Sequence, residues 1–325
     1  MAKMKSVGQC SLPPDLVCKN NATTNTKIWH TRELLGKVSQ HATGKGIRVC
    51  IGDTGGTNTS IYANEPVLAK DWTRSRYGWR DVHGHGSHVQ GSVAGLSGLS
   101  FAPDAEIVIA KTLDDSGSGA SSWLADGIVW AADNGCHIYN GSWGSSQPSR
   151  DIQDAIRYFY KNGGLICNIA AGNSGHSPGR NTVGWPARMT GDQQPFAIAA
   201  LKGSSWSALA RASFSSVGPE VDAAAPGQNI RSIRAGSRDE LTDMSGTSTA
   251  APVMSSVDVC VLQVMLREGW AIPWTVDDWL AFYAKIPNAI IDLGTTGREE
   301  FHGIGAVNAV AVLEWLANGS EYEGI

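Results

Sequence analysis

The sequence predicts an α/β fold: a parallel twisted sheet with helices on both faces. Three observations carry that expectation. From Trp29 to Leu113, short β-prone runs alternate with helical ones, the order in which parallel strands are joined by crossover helices. The runs at 46–52, 106–113 and 165–171 are apolar, of strand length, and the first and last of them run into glycine-rich turns. A chain of 325 residues with 42% hydrophobic residues can bury a large core, and its 38 glycines suit many tight turns, so one large domain is expected.

Composition excludes some classes of function. A net charge of −4 gives no basic footprint, so neither nucleic acid nor an anionic membrane is an expected partner. No apolar run follows Met1-Ala2-Lys3-Met4-Lys5, and none approaches the ~18 residues of a membrane span. The chain therefore reads as a soluble protein without an export signal, cytoplasmic unless it is a processed mature form. Of its six cysteines, Cys50, Cys167 and Cys260 lie in apolar runs where free thiols are common. Cys10 and Cys18 bracket a Pro-rich loop and are the candidates for a local disulfide.

Taken in order, residues 1–27 are polar, with Pro13-Pro14 and a run of Asn and Thr, and read as an extended arm. Residues 28–325 then make up the domain. Gly46 to Gly52 form a β-prone segment that delivers Asp53 to a strand end, followed by the turn residues Thr54, Gly55 and Gly56. Asp81 to Gly95 form a glycine-rich turn that places His85 at the start of a helix of small apolar residues. A strand from Glu106 to Leu113, a loop from Asp114 to Gly119 and an amphipathic helix from Ser121 to Ala132 follow. Leu165 to Asn173 reads as a buried strand ending in glycine and an amide.

From Ala250 to Leu266 almost no polar face remains, which predicts a helix buried on all sides. Pro252 suits only a first helical turn, so the helix is expected to begin close to Ser248. A hydroxyl there sees unpaired N–H groups and the positive end of the helix dipole, which favour negative charge developing beside it. Asp53, His85 and Ser248 thus each stand where an element begins or ends. Three such residues can meet at one sheet edge, where His takes the Ser proton and Asp orients and stabilises the imidazole.

On these residues the sequence resembles the subtilisin-like serine proteases, the subtilases. Their signatures read here as Asp53-Thr54-Gly55, His85-Gly86-Ser87-His88-Val89-Gln90-Gly91 and Gly246-Thr247-Ser248-Thr249-Ala250-Ala251-Pro252. The order Asp, His, Ser is that of subtilisin. The resemblance covers about residues 29–316 and implies a subtilisin-like fold. It further implies a serine endopeptidase that acts on extended peptides or proteins, with Ser248 as nucleophile, His85 as general base and acid, Asp53 as its orienter and Asn173 as oxyanion donor. Gly117, Ser118 and Gly119 would form one substrate-pairing edge, and Ser142, Trp143 and Gly144 the other.

Thr182 to Ala187 resembles the strand lining the P1 pocket. Gly184 at its base would leave that pocket open, which implies broad specificity with a preference for large apolar P1 residues. Trp143 replaces a smaller residue and is expected to reshape the neighbouring pockets. Pro195, Ala197 and Asp222 match positions of a structural calcium site in some members, although the chemistry itself requires no cofactor. His83, His85 and His88 have a metal-like spacing, but glycines flank His85 and no carboxylate cluster accompanies them. The polar arm, in a chain without a folded pro-domain, would suit a short pro-segment lying along the Gly117–Gly119 edge as a self-inhibitor.

A catalytically silent binding or scaffold protein is the alternative. It gains little support, because all four catalytic positions hold competent residues. An α/β-hydrolase esterase would need a second glycine where Ala250 stands.

Overall fold

A computed structural model describes residues 28–294 and 296–318. The arm of residues 1–27 and the Cys10–Cys18 pair lie outside the described residues. The helix expected after Trp29 is two short ones, α1 (Trp29–Arg32) and α2 (Leu35–Val38). Next come β1 (Arg48–Asp53), β2 (Leu68–Asp71), α3 (His85–Ala94), β3 (Glu106–Lys111), α4 (Ser121–Asp133), β4 (Ile138–Gly141), α5 (Arg150–Lys161) and β5 (Ile166–Ala170). Then follow β6 (Phe196–Lys202), β7 (Ala210–Arg211), β8 (Ala223–Pro226), β9 (Ile230–Ile233), β10 (Leu241–Met244) and α6 (Thr247–Glu268). The chain closes through α7 (Val276–Lys285), β11 (Ile290–Ile291), β12 (Ala306–Val307) and α8 (Ala309–Ala317).

Ten strands form one sheet in the order β11-β12-β8-β6-β5-β4-β1-β3-β2, with β7 paired to β6. All pairings are parallel except β11–β12 and β6–β7, while β9 and β10 make a separate antiparallel ribbon. β1 sits between β4 and β3, so strand order reverses at β1. In open parallel sheets the crevice beyond the carboxyl ends of the strands at such a reversal is where ligands bind. Val49, Cys50, Ile51, Val108, Ile109, Ile138 and Ile169 are fully buried, as strands covered on both faces require. α3 and α6 pack on each other and on the sheet, while α4 and α5 form a second packed pair.

α6 is long and apolar enough, by length and composition alone, to cross a membrane; buried over almost its whole apolar length, it is the core helix of this fold. The sequence reading missed a stretch of that hydropathy. Each large aliphatic side chain it withdraws from water contributes ~1.5–3 kcal/mol before entropy is counted. Pro252 stands in the second turn, not the first, so the Ser248 carbonyl forgoes its helical partner. The polar residues in the middle of α6, Ser255, Ser256 and Asp258, are buried too, and each has a hydrogen-bond partner. Ser256 Oγ accepts from Phe101 N at 2.8 Å. Asn168 Nδ2 donates to Ser255 Oγ at 3.0 Å and to Asp258 Oδ2 at 2.7 Å. Tyr283 Oη donates to Asp258 Oδ1 at 3.1 Å. Ser255 Oγ donates to Asn140 Oδ1 at 3.0 Å, and Asn140 Nδ2 to Ser142 Oγ at 2.9 Å.

Burial pushes the Asp258 carboxyl from 3.8 up to about 7, against the pull of Asn168 and Tyr283. A carboxyl that holds its proton more tightly folded than unfolded destabilises the fold progressively as pH rises from about 4 to about 7. Asp258→Asn keeps the shape, accepting from Asn168 and donating to a rotated Tyr283 hydroxyl. The variant is expected to raise Tm at pH 8 and to change it little at pH 4 to 5. Thermal unfolding at the two pH values checks this, and an equal shift at both would contradict it.

Candidate active site

Four candidate segments leave the sheet at one edge, because parallel strands put all their carboxyl ends on the same side. Asp53 ends β1, the Gly117–Gly119 loop follows β3, Ser142–Gly144 follow β4 and Asn173 follows β5. The expected strand to Asn173 stops earlier, at Ala170, and a turn through Gly172 (φ 113°) frees the amide from the sheet.

Asp53 is fully buried, and its Oδ1 lies 2.8 Å from His85 Nδ1. Thr54 N also donates to that oxygen, at 2.7 Å. Oδ1 is an acceptor, so Nδ1 carries the hydrogen and Nε2 is left as the base when His85 is neutral. The Asp53 charge raises the His85 pKa above 6.5, opposed by burial and aided by the hydrogen bond and by Asp81. Backbone contact brings the two elements together: a Cβ on Gly86 would stand 2.1 Å from Gly55 O, so only glycine lets α3 approach the end of β1.

Asp81 anchors the turn that carries His85. Its Oδ1 accepts from Thr54 Oγ1 at 3.0 Å, His83 N at 3.0 Å and Gly84 N at 2.9 Å, and its Oδ2 accepts from Ser87 N at 2.7 Å. Thr54 Oγ1 accepts in turn from Gly86 N at 2.9 Å. One carboxylate thus satisfies the orphan N–H of Ser87 in the first turn of α3 and two N–H groups of the turn before it, and ties them to the residue after Asp53. The sequence reading passed over it. An acid a few residues before a helix start, inside a glycine turn, was the available signal. Lys111, buried and aligned with Asp53 in the β1–β3 register, donates to Thr54 O and pairs with Asp115 at 2.9 Å.

Ser248 is the second residue of α6, and its N–H has no partner among the described residues, as expected of a first helical turn. Asn173 Oδ1 accepts from Thr247 N at 2.8 Å and Thr247 Oγ1 at 3.0 Å, which leaves Nδ2 as the outward donor. Thr247 Oγ1 also accepts from Gly172 N at 3.0 Å. A Cβ on Gly246 would lie 2.8 Å from Ser248 Oγ and 3.3 Å from Asn173 Nδ2, so the hydroxyl and the amide border one small space that glycine keeps open. No hydrogen bond joins His85 Nε2 to Ser248 Oγ here; such bonds often tighten only around substrate.

The backbone groups of Gly119 and of Ser142, Trp143 and Gly144 have no hydrogen-bond partners among the described residues. Ser118 does not share this freedom, since its carbonyl accepts from Asp114 N at 2.7 Å and its N–H donates to Asp114 Oδ1 at 3.0 Å. Two pockets adjoin these edges. One, of about 600 Å³, is lined by Ser142 to Ser146, Ala170, Gly172 to Ser174, Arg180 to Gly184, Thr247 and Ser248. The other, of about 420 Å³, includes Leu113, Leu124, Ile152, Trp185 and Pro186. Trp143, Gly144 and Ser145 line both and form their common wall. The strand expected at 182–187 is not formed; a single antiparallel bridge joins Trp185 to Ser145.

The sequence profile of the subtilase family matches residues 44–288. The chain belongs to the subtilase family. It is 36% identical over 245 residues to the thermostable alkaline protease of Halalkalibacterium halodurans, an alignment covering 73% of this chain and 60% of that protein. It is 32% identical over 278 residues to the M-protease of Shouchella clausii, covering 83% of this chain and 64% of that protein. To subtilisin Savinase of Lederbergia lenta it is 32% identical over 277 residues, covering 83% and 91%. This subtilase therefore spans less than two thirds of the first two of these relatives. Among solved structures, a protease of Pseudoalteromonas arctica superposes with a TM-score of 0.70 over 89% of this chain and 97% of the other, at 24% identity. That likeness shows a shared fold.

The calcium expected at Pro195, Ala197 and Asp222 does not fit the residues of this subtilase. Asp222 Oδ1 is paired with Arg298 Nη2 at 2.7 Å, and its Oδ2 accepts from Ala197 N at 2.8 Å. The Ala197 carbonyl accepts from Asp222 N at 3.0 Å. Burial moreover pushes the Asp222 carboxyl up to about 7, while Ala197 and Arg298 pull it down. A dication would have to displace a guanidinium already in place. Among the described residues no group of three or more His, Cys, Asp or Glu is placed to hold a metal, and His88 is instead buried with Nε2 2.9 Å from Ile230 O.

Asn173→Ala is expected to lower kcat by roughly 10²–10³ with little change in KM, a magnitude transferred from subtilisin. Steady-state kinetics on a peptide substrate check this, and a loss confined to KM would contradict it. Hydrolysis should rise with pH as His85 loses its proton, with a midpoint above the ~6.5 of free imidazole because Asp53 favours the charged ring. A kcat/KM profile whose midpoint falls below that value would contradict the assignment.

Proposed function

We propose that this subtilase is a serine endopeptidase that binds an extended peptide between the Gly119 and Ser142–Gly144 edges. The observation that carries this reading is the pair of unpaired backbone edges flanking Asp53–His85, Ser248 and Asn173. Peptide backbone added there completes hydrogen bonds the fold leaves open, with little regard to side chain. Ser248 Oγ attacks the substrate carbonyl while His85 Nε2 takes its proton, and Asp53 stabilises the resulting imidazolium. The oxyanion forms beside Asn173 Nδ2 and the Ser248 N–H, at the positive end of α6. His85 then returns the proton to the leaving amine, and water repeats the sequence on the acyl group.

Specificity is proposed to be broad. The 420 Å³ pocket, walled by Leu113, Leu124, Ile152 and Trp185 as well as by serines and Gln147, has room for a hydrophobic side chain upstream of the cleavage point. The 600 Å³ pocket is read as the P1 site, where the missing side chain at Gly184 leaves room for large residues, apolar ones included.

A fluorophosphonate probe is expected to label Ser248 and no other serine, as read by peptide mapping. Ser248→Ala should abolish labelling and nearly all peptide hydrolysis without moving Tm. Absence of labelling in the folded wild type would favour a silent, peptide-binding protein instead.

A further inference from the structure

The 600 Å³ pocket holds a charge that the family resemblance does not account for. Residues 177–180 read Ser-Pro-Gly-Arg, with Gly179 at φ 69° and the Arg180 N–H donating to Ser177 O at 3.0 Å. Proline second and glycine third, with φ positive at the glycine, suit a tight turn of the type II kind. The turn sets Arg180 on the pocket wall, between Asn173 and Gly184 in sequence. Its side chain is exposed and, among the described residues, makes no ion pair and no hydrogen bond. No Asp or Glu lines the pocket, and every other polar side chain on its wall, from serine, threonine or asparagine, is neutral. The carboxylate of Glu220 lies outside the lining. It accepts from Asn181 Nδ2 at 2.9 and 2.6 Å and stands 3.8 Å from Arg188 Nε, so it is already engaged.

A guanidinium without a counter-ion in a pocket of neutral groups seeks an anion. Its planar fork of donors matches a carboxylate, and its charge repels a second cation. We infer that Arg180 makes this pocket select P1 side chains that carry a carboxylate, glutamate over glutamine, and reject lysine and arginine. The inference rests on reading the pocket as the P1 site. Large apolar residues still enter, since Gly184 keeps the space open, so the selectivity shows between side chains of like size and different charge.

The test is kcat/KM on four chromogenic peptides that differ only at P1, carrying Glu, Gln, Lys or Phe, for the wild type, Arg180→Gln and Arg180→Glu. For an ion pair with an exposed guanidinium, the wild type is expected to prefer Glu to Gln by about two- to fivefold at low salt. That ratio should shrink at ~1 M salt, where charges are screened beyond ~3 Å. Arg180→Gln should bring it close to one, and Arg180→Glu should invert the Glu to Lys ratio. Cleavage of the Phe peptide with a Glu to Gln ratio that none of the variants alters would overturn the role of Arg180 and leave the peptidase reading standing. Failure of the folded wild type to cleave any of the four would overturn both.

Discussion

The candidate site depends on a constraint of register. In a parallel sheet every strand points its carboxyl end the same way, and here Asp53 aligns with Lys111, Gly52 with Gly141, and Gly141 with Ile169. The loops after β1, β3, β4 and β5 are therefore delivered side by side. Because β1 lies at the point where strand order reverses, the loops diverge and leave a crevice, not a closed surface. A slip of one residue in β1 would turn Asp53 to the other face and break its 2.8 Å contact with His85.

Holding that geometry requires the large helix on the sheet to stay in one place. Apolar packing alone is poor at fixing register, since one valine meets another much as well after a shift. The buried polar chain from Tyr283 through Asp258, Asn168, Ser255 and Asn140 to Ser142 is specific: each group has its partner only in this alignment. It spans α7, α6, β5 and β4 and ends on Ser142, just beyond β4. The position of Ser248 on α6 is thereby tied to that of Ser142 after β4. A similar economy operates at Asp81, where one carboxylate both caps α3 and reaches Thr54 beside Asp53.

Electrostatics divides the site into two regions. Around His85 the buried Asp53 and the nearby Asp81 favour positive charge on the imidazole. Around Ser248 and Asn173 the helix N-terminus and unpaired N–H groups favour negative charge. The two regions meet where an oxyanion and an imidazolium would form together, which is the charge separation that acyl transfer needs. Burial sets apart the groups that do not take part. His88 is held neutral with a pKa of about 3, and the thiols of Cys167 and Cys260 are raised well above their ordinary value, so these remain structural.

By itself the sequence determined the family and the alternation of strands and helices, and it singled out Asp53, His85, Ser248 and Asn173 as candidates, because those features are local. Each sits in a short run whose turn residues and element boundary are contiguous in the chain. Local signals also misplaced some bounds: the strand before Asn173 ends at Ala170, and Pro252 falls one turn deeper in its helix than its chemistry suggested. α7 went unread, although Thr275 and Asp278 form a capping box that the spacing spells out. Only the tertiary structure decided what depends on partners far apart in sequence. Asp222 meets Arg298 from 76 residues away, which removes the expected calcium site. Asp258 finds Asn168 across 90 residues, which makes a polar residue tolerable in a buried helix. Arg180 is an ordinary turn residue in the sequence and becomes a pocket charge only because β4, β5 and α6 enclose the space beside it. Pairings of this kind depend on which chain segments the sheet order brings together, and no window of neighbouring residues contains that information.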